Sequence, residues 1–409
     1  MKMKLKSAAF AAALMISTAL TGGAANAETV DFWYHFDNPD NPMSDLVAKF
    51  ESANPGITIN AENVPWNSYY DQLYTSIVAG NGPDAALVKL NALPRLIEME
   101  ALEPIDARLD AWDGKDDILP NLFDLTAAAD GTHYLLPVQY VVLYLYYRTD
   151  MFEQAGLTPP TTCEEFQTAA KALTKDTDGD GQPDVYGFGF RGGKGGHDHW
   201  ATFTLSRDGV GFGPGEMTSD AAIAGTQYVL DLFQKDHAFP PSAPNDGFKE
   251  IIGGFKAGTT AMTIHHIGSS KGMVEALGDK VSAVPVPGCG GGHWTSFGDE
   301  SSAVFSSAKD KDAAWKWISF LSSAGNNTEF NLATGQLPVT LTDSKNWKNH
   351  EARFVDATVA SLPFAQLLPN VSETADFTNM VWPVNMQRAL IGEITASQMN
   401  AEIDTLYNK

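Results

Sequence analysis

A chain of 409 residues is too long for one compact core, so two domains are the natural expectation. Its formal net charge of −23 argues against nucleic acid or an anionic membrane surface as a partner, although a local pocket can still be basic. Two cysteines, Cys163 and Cys289, are compatible with one disulfide in an oxidising compartment, and nothing in their spacing demands it.

The first 27 residues stand apart from the rest. Lys2, Lys4 and Lys6 precede an apolar run over 8–20, and Ala25-Asn26-Ala27 closes it with small residues at cleavage spacing. That run is shorter than the roughly 20 residues a bilayer span needs, so it reads as a secretory signal peptide cleaved after Ala27. Losing its three lysines takes the net charge from −23 to −26. No later stretch is apolar for long enough to cross a membrane, so an exported, periplasmic protein without direct membrane insertion is expected.

Residues 28–34 read as a strand followed by the polar loop His35-Phe36-Asp37. Leu46, Val47 and Phe50 share one face of a helix over 44–54 that Pro55-Gly56 stops, and Ile57 and Ile59 alternate as a second strand. A helix over 68–78 presents Tyr70, Leu73, Tyr74 and Ile77, and a buried strand over 85–90 runs out into Asn91. Strand and helix alternate as in a βαβ fold, whose ligands collect at the carboxyl ends of strands, which marks His35, Asp37 and Asn91 as candidates.

The apolar run 135–147 predicts a strand with both faces covered. Pro137 inside it cannot donate to a ladder, so one sheet is expected to end there and another to begin, with Gln139 and Tyr140 emerging between two lobes. Asp150 can cap the helix that follows, and Gly156 closes it. A helix over 161–173 carries Thr162 at its cap; a short strand over 185–190 leads into a glycine-rich run over 191–200. Further helices are predicted over 221–234, 270–277, 310–322 and 397–407, a strand over 259–265, and a second passage between lobes at 284–292.

Several motifs carry chemistry. Asp176, Asp178, Asp180, Gln182 and Asp184 alternate around a glycine at the sixth position, the first half of a calcium loop. The glutamate expected at its twelfth position is Gly187, so an acidic surface turn without metal is the competing reading, and no other cofactor is expected. Gly268-Ser269-Ser270-Lys271-Gly272 fits the G-x-S-x-G elbow of a serine hydrolase, with His293 and His350 the only later histidines. The better reading is a helix start whose amides cradle hydroxyls or an anion. In the glycine-rich run, Gly192 and Gly193 would let amides approach a ligand while Trp200 offers a stacking face. His265-His266 ends a strand, and alternation leaves open which ring faces the cleft. Trp66, Tyr69, Tyr70, Trp200, Trp294 and Trp382 fall near element ends, where flat rings suit the C–H face of a pyranose.

The combination of GNGPDAALV at 80–88, LYYRTDMFEQAGLTPP at 145–160 and ATGQLPVT at 333–340 resembles the carbohydrate-binding extracellular solute-binding proteins of ABC importers. The class includes the maltodextrin-binding and glycerol-3-phosphate-binding proteins. The resemblance implies an α/β, two-lobed periplasmic-binding-protein fold, each lobe a mixed sheet flanked by helices, with 28–138 plus 298–340 and 139–297 plus 341–409 as the lobes. It implies a monomer that binds a sugar by hinge closure and delivers it to an inner-membrane permease. Carried over by motif, the ligand-facing positions are His35, Asp37, Tyr70, Asn91, Gln139, Tyr140, Gly192, Gly193, Trp200, His266, Gly268, Asp299, Glu300, Gln336 and Trp382. No match is found for the acidic residue that glycerol-phosphate binders carry near Asn91. The run 191–199, with His35 and His266, is more cationic than a neutral sugar requires, which leaves an acidic or sulfonated sugar open. A secreted serine hydrolase using Ser270, or a lectin-like module, is the alternative.

Overall fold

The computed structural model describes residues 28–36, 41–344 and 350–409; the signal segment and Asp37 lie outside these. Ten strands are described: β1 (Glu28–Tyr34), β2 (Ile57–Asn63), β3 (Ala85–Val88), β4 (Leu135–Val142), β5 (Tyr144–Arg148), β6 (Met262–His265), β7 (Val281–Val284), β8 (Thr295–Val304), β9 (Leu337–Pro338) and β10 (Ala365–Gln366). They form two sheets, one per lobe.

The first lobe's sheet runs β2-β1-β3-β8-β4-β9, with β10 beside β8. β1 pairs in parallel with β2 and β3, whereas β8 is antiparallel to both β3 and β4, so the sheet is mixed. Alternation along β3 explains its continuous apolar sequence. Ala85 and Leu87 join Phe32, Leu136 and Trp317 in one core, while Ala86 and Val88 join Tyr69, Leu73 and Leu135 in another. Both faces are thus covered, as the period of two requires.

The sheet does not end at Pro137. β4 continues to Val142, with a register shift between Pro137 and Gln139 that accommodates the missing donor as a bulge. The freed carbonyls are taken by side chains: Ser322 Oγ donates to the Pro137 carbonyl at 2.8 Å, and Asn327 Nδ2 to that of Val138 at 2.7 Å. Residues 139–142, expected with the second lobe, therefore extend the first lobe's sheet. The passage falls at Leu143, whose amide donates to the Ser296 carbonyl and whose carbonyl accepts from Thr295 Oγ1 at 2.8 Å. The return crossing lies at the start of β8, not at 284–292, where Val286 and Cys289 belong to the second lobe's core.

In the second lobe β5 lies between β6 and β7, antiparallel to each. The expected strand at 185–190 is reduced to parallel bridges, Tyr186 to Thr260 and Gly189 to Thr263. The helix Cys163–Leu173 starts on a capping box between Thr162 and Glu165. Asp150 does not cap its helix; it lies within the first turn and binds the Arg148 guanidinium at 2.8 and 2.7 Å. Cys163 and Cys289 form a disulfide, with Cα atoms 5.2 Å apart. Among the described residues no helix is long and apolar enough to cross a membrane.

Candidate functional site

Strand ends of the first lobe build a charged floor. β1 delivers His35, β3 runs out into Lys89, and β8 brings Asp299 and Glu300 beside Gln139 of β4. Glu300 is 1% exposed; His35 Nε2 lies 3.1 Å and Lys89 Nζ 3.5 Å from its Oε2. Burial alone would raise the Glu300 carboxyl, but His35 and Lys89 together hold it below the usual glutamate value, so it stays ionised. Burial pushes the Asp299 carboxyl up to about 6, against the opposing pull of Lys89 and the Leu90 amide. That carboxylate accepts from the Leu90 amide at 3.0 Å, which fixes the turn after β3.

Aromatic rings wall this floor. Trp66 packs against His35 at 4.6 Å between centroids and lies 5.4 Å from Lys89 Nζ. The Tyr70 hydroxyl accepts from the Lys89 amide at 2.8 Å, which ties this ring to the end of β3.

The second lobe supplies the opposite wall. A small cavity of about 30 Å³ is lined by Trp66, Tyr70, Asp71 and Asn91 from one side and Lys194, Gly195 and His197 from the other. Lys194 Nζ reaches across to Asp71 Oδ2 at 2.8 Å, and Arg95 to Asp376 at 3.4 Å, so the lobes touch across the cleft. His266 turns its ring to this side: its Nδ1 accepts from the Gly268 amide, and burial followed by the fields of Lys89 and Arg191 lowers it to about 3. His265 faces inward, with Ser269 Oγ 2.8 Å from its Nδ1 and Phe248 beside it. Buried polar atoms without a hydrogen-bond partner among the described residues include Gln139 Oε1, Glu300 Oε1, Gln336 Oε1, His197 Nδ1 and Arg191 Nε and Nη2. Such atoms are costly unless something completes them.

The structure does not bring every expected residue to the cleft. Trp200 and Trp382 are fully buried in the second lobe's core, and Trp200 Nε1 donates to Thr226 Oγ1 at 2.9 Å. Positions 197–200 start the helix His197–Thr204, whose buried residues include Trp200 and Phe203, so the indole is packing and not a stacking face. Trp382 faces inward with Met386 and Ala389, one helical stripe. The amides of Gly192 and Gly193 are taken by the carbonyls of Ala243 and Asp246, and a Cβ at Gly192 would fall 2.3 Å from the Ala243 oxygen. These glycines serve close packing of the 243–246 segment. The Gly268 amide is likewise occupied, but its missing side chain lets Gln336 approach, a Cβ there meeting Nε2 at 2.7 Å. Tyr140 stacks on Phe297 at 5.9 Å beside the passage between lobes. Lys89 joins the site although it was not among the expected positions; Trp66, marked in the sequence by its place at an element end, lines the cavity, and Arg191 of the cationic run lies behind Gly195 of its wall. A lysine ending an otherwise apolar strand was the available signal for the first.

In the 176–184 turn, carboxylate oxygens of Asp176, Asp178 and Asp184 lie within 4.8 Å of one another, all exposed. They also serve the turn itself: Asp176 accepts from the amides of Gly179 and Gly181, and Asp184 from that of Thr177. Asp180 accepts from the Gln182 amide and stands outside the cluster. Ser270 Oγ does come within 3.4 Å of His350 Nδ1. The other ring nitrogen, His350 Nε2, is buried without a hydrogen-bond partner among the described residues, so no carboxylate orients that ring as a triad would need.

Two lobes joined by short crossings, with unsatisfied polar atoms and aromatic rings between them, define a protein that encloses a small polar solute. The family model for the bacterial extracellular solute-binding proteins matches residues 37–328, and the chain belongs to that family. A Brucella abortus (strain 2308) protein, itself named only as a binding protein, is 28% identical over 341 residues, 81% of each chain. The mannitol-binding protein of Pseudomonas aeruginosa is 27% identical over 246 residues, 59% of this chain and 55% of that one. Among solved structures, an ABC transporter solute-binding protein of Thermotoga lettingae bound to α-D-tagatose superposes with a TM-score of 0.81 at 22% identity, covering 93% of this chain and all of the other. Maltose-bound MalE3 of T. maritima gives 0.82 at 20% identity, covering 93% and 99%. The last two likenesses carry the fold.

Proposed function

We propose that the protein is the periplasmic substrate-binding component of an ABC importer, which captures a sugar or sugar derivative by hinge closure and passes it unaltered to an inner-membrane permease. The observation that carries this reading is the set of buried, unpartnered polar atoms of Gln139, Glu300 and Gln336 at strand ends, together with the rings of Trp66 and Tyr70 that line the cavity between the lobes. Hydroxyls of a ring sugar supply the missing partners, and its apolar faces suit aromatic walls. The relatives named above with tagatose, maltose and mannitol support the same class. Residues proposed to touch ligand are His35, Trp66, Tyr70, Asn91, Gln139, His197, His266, Glu300 and Gln336.

In this reading the protein acts as a monomer and needs no cofactor. A calcium ion in the 176–184 turn would be structural, and melting temperatures in calcium and in chelator decide that point. Ligand contacted by both lobes only after closure shifts the population toward the closed state. A micromolar affinity, about −8 kcal/mol, is a reasonable yield for such a site after ordering costs. Calorimetric titration of the mature protein with sugars, small-angle scattering with and without ligand, and mass spectrometry of the recovered ligand test it. Chemical conversion of the ligand, or unchanged dimensions at saturation, refutes it.

A further inference from the structure

Arg191 is 9% exposed, and its Nε and Nη2 find no hydrogen-bond partner among the described residues. Burial brings the guanidinium down to about 10, which still leaves it charged at neutral pH. A buried cation that cannot shed its proton requires an anion, because desolvation without a counter-charge is among the most expensive arrangements a fold can hold.

The neighbouring acids are engaged elsewhere. Asp71 holds Lys194 at 2.8 Å, Glu300 holds His35 and Lys89, and Glu250 Oε2 accepts from the Gly247 amide at 2.9 Å. Asp198 lies against His197 Nε2 at 3.5 Å; it and Glu250 act on Arg191 from a distance, and neither forms an ion pair with it. The guanidinium rests against Gly195, which lines the cavity: a Cβ at that glycine would fall 2.5 Å from Nη2. Beside it stands His197, also a cavity wall, with its Nδ1 unpartnered.

Resting on the sugar-binding reading, we propose that Arg191, with His197 as a neighbouring polar partner, receives an anionic substituent on the bound sugar: a carboxylate, sulfonate or phosphate group. The planar fork of the guanidinium presents parallel N–H donors to two oxygens of such a group, which a neutral hydroxyl cannot match.

The test titrates the full mature protein with D-glucose, D-galactose and D-mannose and with the 6-carboxylate, 6-phosphate and 6-sulfonate form of each. The expected result is at least one anionic sugar binding 10-fold or more tighter than its neutral parent, which arm does so identifying the group. R191Q should reduce that ratio to near one, and R191K should retain part of it, the melting temperature of each variant being recorded alongside. Losses of about 10- to 100-fold are the scale of charge-assisted hydrogen bonds. Neutral parents that bind as tightly as all their anionic forms overturn the inference while leaving the sugar-binding reading intact, and so does an R191Q protein that keeps the wild-type ratio. No binding by any of the twelve sugars overturns the inference as stated, while the sugar-binding reading stands or falls by the tests given for it above.

Discussion

Asp299 offers the most direct test of the electrostatics beneath the site. Its carboxylate is buried under the turn after β3 and accepts from the Leu90 amide, yet burial lifts its pKa from 3.8 to about 6. A folded-state value above the unfolded one means the fold prefers the protonated form. The associated stability is fully present below about pH 3.8 and is lost as pH rises through about 6. At about 1.4 kcal/mol per tenfold change, the span corresponds to about 3 kcal/mol. Asp299→Asn keeps a carbonyl for the Leu90 amide and removes the titration, so the difference between variant and wild type should move in the variant's favour by up to about 3 kcal/mol between pH 4 and pH 7. Glu300, held below its ordinary value, contributes stability above about pH 4.5 that is lost as pH falls, but it is common to both proteins and largely cancels. Thermal midpoints at matched ionic strength across this range provide the assay, any fixed cost of the substitution appearing as a constant offset. A difference that stays level with pH, or moves the other way, refutes the assignment.

Glu300→Gln leaves Lys89 without its buried partner and should lower stability by about 3 kcal/mol or more and weaken ligand binding, read by denaturant midpoint and calorimetry. Lys194→Ala removes a cross-lobe ion pair in which Asp71 is 62% exposed, so affinity should fall only about two- to fivefold at low salt and recover toward wild type at high salt. Trp200→Phe should lower the melting temperature through lost packing and the lost bond to Thr226, while ligand affinity stays within about twofold. Replacing Cys163 and Cys289 with serine removes a cross-link between positions 126 residues apart and should cost about 2 to 5 kcal/mol, seen also on reduction of the wild type.

Much of the framework is legible in the sequence because hydrophobic periodicity reports which face is covered. The strand at 28–34 and the helix at 270–277 form where alternation and helical spacing place them. The passage between lobes is misplaced because a proline within a strand has two outcomes, a break or a bulge, and side chains far along the chain decide between them. Here Ser322 and Asn327, more than 180 residues away, satisfy the carbonyls of Pro137 and Val138 and allow the strand to continue.

The same non-local logic governs the cleft. Glycine reads alike whether its backbone meets a ligand or another strand of chain, and only the fold shows the 243–246 segment pressed against Gly192 and Gly193. A tryptophan reads alike whether it faces a sugar or a core; for Trp200 the decision rests with Thr226 and a helix that begins earlier than the glycine run suggested. Charge is different, because a buried ion must be answered somewhere. His35, Lys89 and Glu300 answer one another within the first lobe, so that wall is balanced before ligand arrives. Arg191 feels Asp198 and Glu250 only at a distance, and its Nε and Nη2 have no hydrogen-bond partner among the described residues, which is why the proposed anionic ligand group is sought on that side of the cleft.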